Sequence, residues 1–167
     1  MSNKSHIQYG LIISAILILL SVVFYVLNMN QEKWTQWIGV VIMFIGVVVS
    51  CIVYAKANNG NVTFGNVFAT GFKTTAIVAL VTALFAVIFI MIFPDIKEKA
   101  LEQARLDMEK QGQSDAAIEQ AIDITKRMFL VFVLGFSIFF NLFFGAIASV
   151  IGAAAARRNP HYQAPQK

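Results

Sequence analysis

The sequence predicts an all-α integral membrane protein: a four-helix bundle with an extramembrane helical hairpin between spans three and four. Three observations lead there. Of its 167 residues, 58% are hydrophobic and 13% charged, where soluble domains run near 45–50% and about 25%. The excess is gathered into four stretches of 20 or more residues that carry almost no charge. Conversely, 14 of the 22 charged residues lie between Pro94 and Arg127. That distribution excludes a water-soluble globule. One Cys and three Pro exclude disulfide-scaffold, collagen-like and disordered classes.

The first span is read at 7–29, where no Asp, Glu, Lys or Arg occurs. About 20 apolar residues suffice to cross a hydrocarbon core roughly 30 Å thick. A secretory signal would have a shorter apolar region of about 7–15 residues and a small-x-small cleavage site. Tyr25, Val26, Leu27, Asn28 and Met29 offer no such site, so the segment is expected to stay attached. Span two runs over 34–55, with Trp34, Trp37 and Tyr54 where interfacial aromatics are expected. Spans three and four cover 67–93 and 128–156. Backbone in lipid must satisfy its own hydrogen bonds, which leaves helices or a closed barrel. Barrel strands alternate in polarity, and the run from Leu11 to Leu20 does not. Residues 1–167 are therefore expected to form a single membrane domain, with 94–127 as an extracytoplasmic insertion.

The insertion is rich in the helix formers Glu, Lys, Ala, Gln, Leu and Met. Lys97, Leu101, Ala104 and Met108 keep helical spacing, and Asp95 stands four residues before Lys99 as a favourable pair. Gly112 reads as a helix end and Ser114 as the next N-cap, with Asp115 in the first turn. Ile118, Ala121, Ile122 and Thr125 mark the apolar face of a second helix that is expected to run straight into span four. The carboxylate pairs Asp107 with Glu109, and Glu119 with Asp123, admit an acid/base or metal reading. A solvated helix face is the simpler account, because a metal loop with alternating ligands and a Gly turn is absent.

An even number of spans puts both termini on one side. That side collects Lys4, Lys56, Lys73, Arg157, Arg158 and Lys167 and no acid. The opposite side holds Glu32, Lys33 and the insertion, with six Lys or Arg and eight Asp or Glu. Raw Lys and Arg counts are nearly even, but those beside the termini sit in short segments, which places both termini in the cytoplasm. The net charge of +4 is strung singly along membrane edges, so it predicts anchoring and no nucleic-acid partner. Arg157 and Arg158 can also meet anionic headgroups, although two charges do not define a specific lipid site.

Within the spans, Lys73 is the candidate ionisable residue. It belongs to a polar stripe of Thr63, Asn66, Thr70, Lys73 and Thr74 at helical spacing. A lysine that snorkels to the headgroups is one reading. A water-lined or headgroup-contacting groove is the other, and it requires the stripe to face inward. Small and polar residues recur on the other spans. Gly10, Ser14, Ser21, Tyr25 and Asn28 lie on the first, Gly39, Gly46 and Ser50 on the second, and Ser137, Asn141, Gly145, Ser149 and Ala153 on the fourth. Of these, Ser14, Ser21, Gly46, Ser50, Asn141, Gly145 and Ser149 are expected to pack helix on helix, because small residues permit close backbone approach. Asn141 is expected to bond across to another helix. Span four carries seven of the 15 Phe, and those off its small-residue face are expected to meet lipid or a partner.

Nucleophilic chemistry fails on inventory. Cys51 lies within span two, and His6 and His161 lie in the tails. No Gly-rich phosphate loop, zinc spacing or Ser/His/Asp set is present, so the sequence predicts no enzyme, no cofactor, no metal site and no catalytic residue. The run from Gly60 to Thr75, the Phe93-Pro94 pair, the hairpin stretch from Glu109 to Ser114, Gly152 and the Arg157-Arg158 pair together resemble a family of small bacterial membrane proteins. The family is catalogued as domain of unknown function 4199, and the resemblance spans nearly the whole chain. It implies a four-span protein of the Gram-negative inner membrane with a helical insertion before the last span, and it supplies no activity or site residues. Three functional classes follow. The first is a subunit or scaffold binding the lipid bilayer and other membrane proteins, or forming a homo-oligomer. The second, suggested by similar proteins rather than by residues here, is an accessory to a membrane glycosyltransferase or lipid-linked glycan pathway. The third is a small transporter or channel using Lys73.

Overall fold

The computed structural model describes residues 5–29 and 32–159; Lys4, His161 and Lys167 lie outside them. Six helices and no strand are found among the described residues: α1 (Ser5–Val26), α2 (Lys33–Ala57), α3 (Phe64–Ile92), α4 (Asp95–Lys110), α5 (Asp115–Arg127) and α6 (Phe129–Ala155). The chain is all-α. Four of the helices, α1, α2, α3 and α6, are long and apolar enough to cross a membrane.

Helix ends explain where the apolar runs stop. In α1 the run continues to Met29, yet the helix closes at Val26 because Asn28 turns left-handed at φ 55°. The Met29 N–H then donates to the Phe24 carbonyl at 2.8 Å and the Asn28 N–H to Tyr25 at 3.0 Å, the paired bonds of a Schellman end. The same device ends α2, with Asn59 at φ 53°, and α4, with Gly112 at φ 72°. Their six-residue closures run from Gly60 N–H to the Ala55 carbonyl and from Gln113 N–H to Met108. Pro94, which has no N–H to extend a helix, separates α3 from α4. Asp95 and Glu98 in the first turn of α4 complement its positive end. Ser114 takes the extended N-cap conformation before α5. α5 does not run unbroken into α6: Met128, at φ −104° and ψ 16°, interrupts the helical backbone between them.

The chain divides into two compact units. One holds the residues up to Thr82 together with those from Ile138, and the other spans Ala83–Ser137. Where the sequence predicts one membrane domain with an insertion at 94–127, the second unit also takes the end of α3 and the start of α6. Two apolar clusters form the core of the first unit. Ile13, Met43, Val47, Val78 and Ala148 make one, and Cys51, Ala55, Val62, Val67, Ala153 and Ala156 the other. In the second unit α4 buries no residue and α5 buries only Ile118. Phe89 stands between Phe85, at 5.1 Å, and Phe93, at 4.9 Å.

Between 6% and 28% of the most apolar stretch of each of these four helices is buried. Leu19, Met91 and Phe139 stand 66%, 72% and 62% exposed. Water does not tolerate contiguous apolar surface on this scale, whereas lipid tails do.

Candidate functional site

In the first unit, small residues on facing helices replace one another's volume. A Cβ on Gly46 of α2 would lie 2.7 Å from Ile13 of α1. On Gly145 of α6 it would collide with the side chain of Thr75 on α3. On Gly152 it would lie 2.8 Å from Cys51 Cβ, and on Gly71 of α3 2.8 Å from Ser149 Oγ. Among the small residues singled out by spacing, Ser14, Ser50 and Ser149 are buried, as is Gly145. Asn141 is half-buried and Ser21 is exposed, so Ser21 stands apart from the packed set. The counterparts on α3, Gly71 and Thr75, carried no separate signal. They stand four residues apart, beside the polar stripe and outside it.

Four of the interior hydroxyls are occupied locally, whereas the buried Ser5 Oγ has no hydrogen-bond partner among the described residues. Ser14 Oγ donates to the Gly10 carbonyl at 2.7 Å, Thr70 Oγ1 to Asn66 at 2.9 Å, Thr74 Oγ1 to Thr70 at 2.9 Å and Ser149 Oγ to Gly145 at 2.6 Å. Each bond lies four residues back in its own helix, the ordinary way a buried hydroxyl is satisfied in an apolar span. Between helices, Ser50 Oγ, bonded to the Val47 carbonyl at 2.7 Å, reaches Thr74 Oγ1 at 3.4 Å. Cys51 Sγ reaches the Val67 carbonyl at 3.7 Å.

The polar stripe of α3 divides. Thr63 caps the helix by accepting the Asn66 N–H on Oγ1 at 3.2 Å. Thr70 and Thr74 are buried, whereas Asn66 and Lys73 are exposed. An inward-facing polar groove requires all of them on one side. Helical Cβ atoms point toward the N-terminus, so the Lys73 stem is directed back toward the Phe64 end of α3.

At that end three segments meet: the last turn of α2, the first turn of α3 and the residues that follow α6. Val62 and Val67 pack with Ala153 and Ala156 beneath them. Above this core the Asn159 N–H donates to the Gly60 carbonyl at 2.8 Å, and Asn159 Nδ2 donates to Asn61 Oδ1 at 3.2 Å. The Arg158 guanidinium lies 5.5 Å from the Phe64 ring centroid. Lys56, Arg157 and Arg158 are exposed.

In the second unit, α4 and α5 enclose a groove of about 550 Å³. Leu101 and Ile122 supply its apolar lining; Lys97, Arg105, Lys126, Glu98 and Glu102 supply charges of both signs. Ion pairs join Lys99 to Asp95 at 3.1 Å, Lys110 to Asp107 at 3.9 Å and Arg127 to Asp123 at 2.7 Å. Lys97, Arg105 and Lys126 enter none of these pairs. Lys97 Nζ sits 5.6 Å from the Phe129 ring centroid. Asp107 also accepts from Gln103 Nε2 at 3.0 Å. Asp107 and Asp123 are thus engaged by neighbours on their own helices, and no group of three or more His, Cys, Asp or Glu capable of holding a metal occurs among the described residues.

The profile of a family described as "Protein of unknown function (DUF4199)" matches residues 8–158. No curated protein and no solved structure matches the chain.

Proposed function

The chain belongs to the DUF4199 family of proteins of unknown function, and from that premise we propose that it is a non-catalytic subunit or scaffold of a bacterial inner membrane. Its apolar helices make it a multi-pass membrane protein. In this reading the four spans associate as a bundle with both termini in the cytoplasm, and the α4–α5 hairpin engages another membrane protein. The observation that carries the reading is the α4–α5 groove, whose apolar lining of Leu101 and Ile122 is ringed by Lys97, Arg105, Lys126, Glu98 and Glu102. An apolar centre with a rim of mixed charge is the composition of a protein-binding surface. Satisfied hydroxyls inside the first unit add no competing chemistry, since each is committed to a carbonyl of its own helix.

Purification of the full chain in mild detergent, followed by mass spectrometry, tests the proposal. A stoichiometric membrane-protein partner is expected with the native chain. The Leu101→Asp/Ile122→Asp variant should retain it at least tenfold less, and Lys73→Ala should retain it fully. A partner that stays with the groove variant, or a native chain that purifies alone, overturns the reading.

A further inference from the structure

The place where α2 ends, α3 begins and the chain leaves α6 combines two features that the sequence keeps nearly 100 residues apart. The first is a fixed basic segment. Arg157 follows Ala156, which is buried in the core at 5% exposure, and Asn159 is tied to Gly60 and Asn61 by two hydrogen bonds. The two arginines are therefore held between a buried anchor and a hydrogen-bonded one. Gly60 makes the approach possible: it sits at φ 74°, and a Cβ there would lie 3.1 Å from Asn159 N and 3.4 Å from the Arg157 carbonyl oxygen. Lys56 adds a third cation one turn before. None of the three forms an ion pair among the described residues, and the one acid of this unit, Glu32, stands at the other end of α2. That is roughly 36 Å away at 1.5 Å per residue.

The second feature is an aromatic face directly beneath. Phe64, Phe68 and Phe72 share one side of α3 by their spacing of four. Phe68 and Phe72 stack at 6.0 Å, and Phe64 and Phe72 are exposed. Arg158 joins the two features, because its guanidinium covers the Phe64 ring while its N–H groups stay in the plane of the fork, free to grip an anion at its edge. A cation cluster that continues into an apolar aromatic face has the polarity of one phospholipid molecule, phosphate above and acyl chain below. A free phosphate would use only the upper half.

We propose that Lys56, in the last turn of α2, together with Arg157 and Arg158, held against the Asn59–Asn61 turn above Phe64 and Phe72, forms a binding site for an anionic phospholipid. The site is independent of the hairpin and of any protein partner, and it holds in either leaflet.

The test is thermal unfolding of the full chain in neutral detergent micelles doped with phosphatidylglycerol, with phosphatidylcholine of the same acyl chains, or with inorganic phosphate. Phosphatidylglycerol should raise Tm, and the other two additions should leave it within error. In Arg157→Gln/Arg158→Gln the phosphatidylglycerol-specific shift should fall at least threefold. Gly60→Val, which keeps every charge but displaces the tail, should at least halve it. If the arginine variant does not fold, Lys56→Gln and Phe64→Ala carry the same comparison, each with a reduced shift expected. An equal shift with phosphatidylcholine, reproduction of the shift by inorganic phosphate, or a full shift in the folded variants overturns the proposal.

Discussion

Gly145 and Gly135 lie on the same helix, and the same substitution should act on them with opposite sign. A Cβ at Gly145 collides with Thr75, whereas at Gly135 it meets nothing within 4 Å. Gly145→Ala is expected to lose about 1–3 kcal/mol by overpacking. Gly135→Ala should be neutral or gain up to about 1 kcal/mol from helix propensity. Denaturation by SDS in mixed micelles measures both, and equal losses at the two positions would show that Gly145 is not a packing site. The contrast also marks what residue spacing can convey. The four-residue recurrence of Gly145 and Ser149 is visible in the chain, but that Thr75 faces the first and Gly71 the second is a property of the pair. Ser21 satisfies the same spacing and is exposed, since a small residue packs only where another helix arrives. Asn28 and Asn59 offer a similar case. Each closes a helix in the left-handed region, yet in the sequence each looks like any polar residue near a membrane edge.

At the scale of elements, the two hairpin helices bury the fewest residues among the described helices. α4 buries nothing and α5 buries Ile118 alone, at 3% exposure. The side chains of its ion pairs are 42% to 76% exposed and each pair contributes only about 0.3–0.5 kcal/mol. Ile118→Ala should therefore cost the hairpin about 2–4 kcal/mol. Amide hydrogen exchange should accelerate across 95–127 while α1 keeps its protection, and unchanged exchange in α4 and α5 would mean that Ile118 does not hold the pair together. The existence of both hairpin helices was legible, because Gly112, Ser114 and the i,i+4 pair of Asp95 with Lys99 are local signals, and that pair forms at 3.1 Å. The junction with α6 was not legible. No Pro or Gly marks Met128, and the interruption lies in its backbone angles.

For the molecule as a whole, charge and solvation set separate constraints. Apart from Glu32, every acid lies between Asp95 and Asp123, and Lys4, Lys56, Lys73, Arg157, Arg158 and Lys167 have no acid beside them in sequence. The proposed topology makes a direct prediction: a fluorescent reporter that matures only in the cytoplasm, fused after Lys167, should light up in bacterial cells. A dark fusion with normal expression would reverse the orientation. The sequence by itself determined that this chain is helical and carries four segments long and apolar enough to cross a membrane. Removal of apolar side chains from water is additive along a segment, so length and composition suffice. Only the tertiary structure decided that the polar stripe of α3 splits into a cap, two interior threonines and two exposed residues. It alone brought Arg157 and Arg158 onto the Gly60 turn above Phe64. Those outcomes depend on which surfaces face each other across helices, and contact between distant segments is set by geometry that no single segment carries.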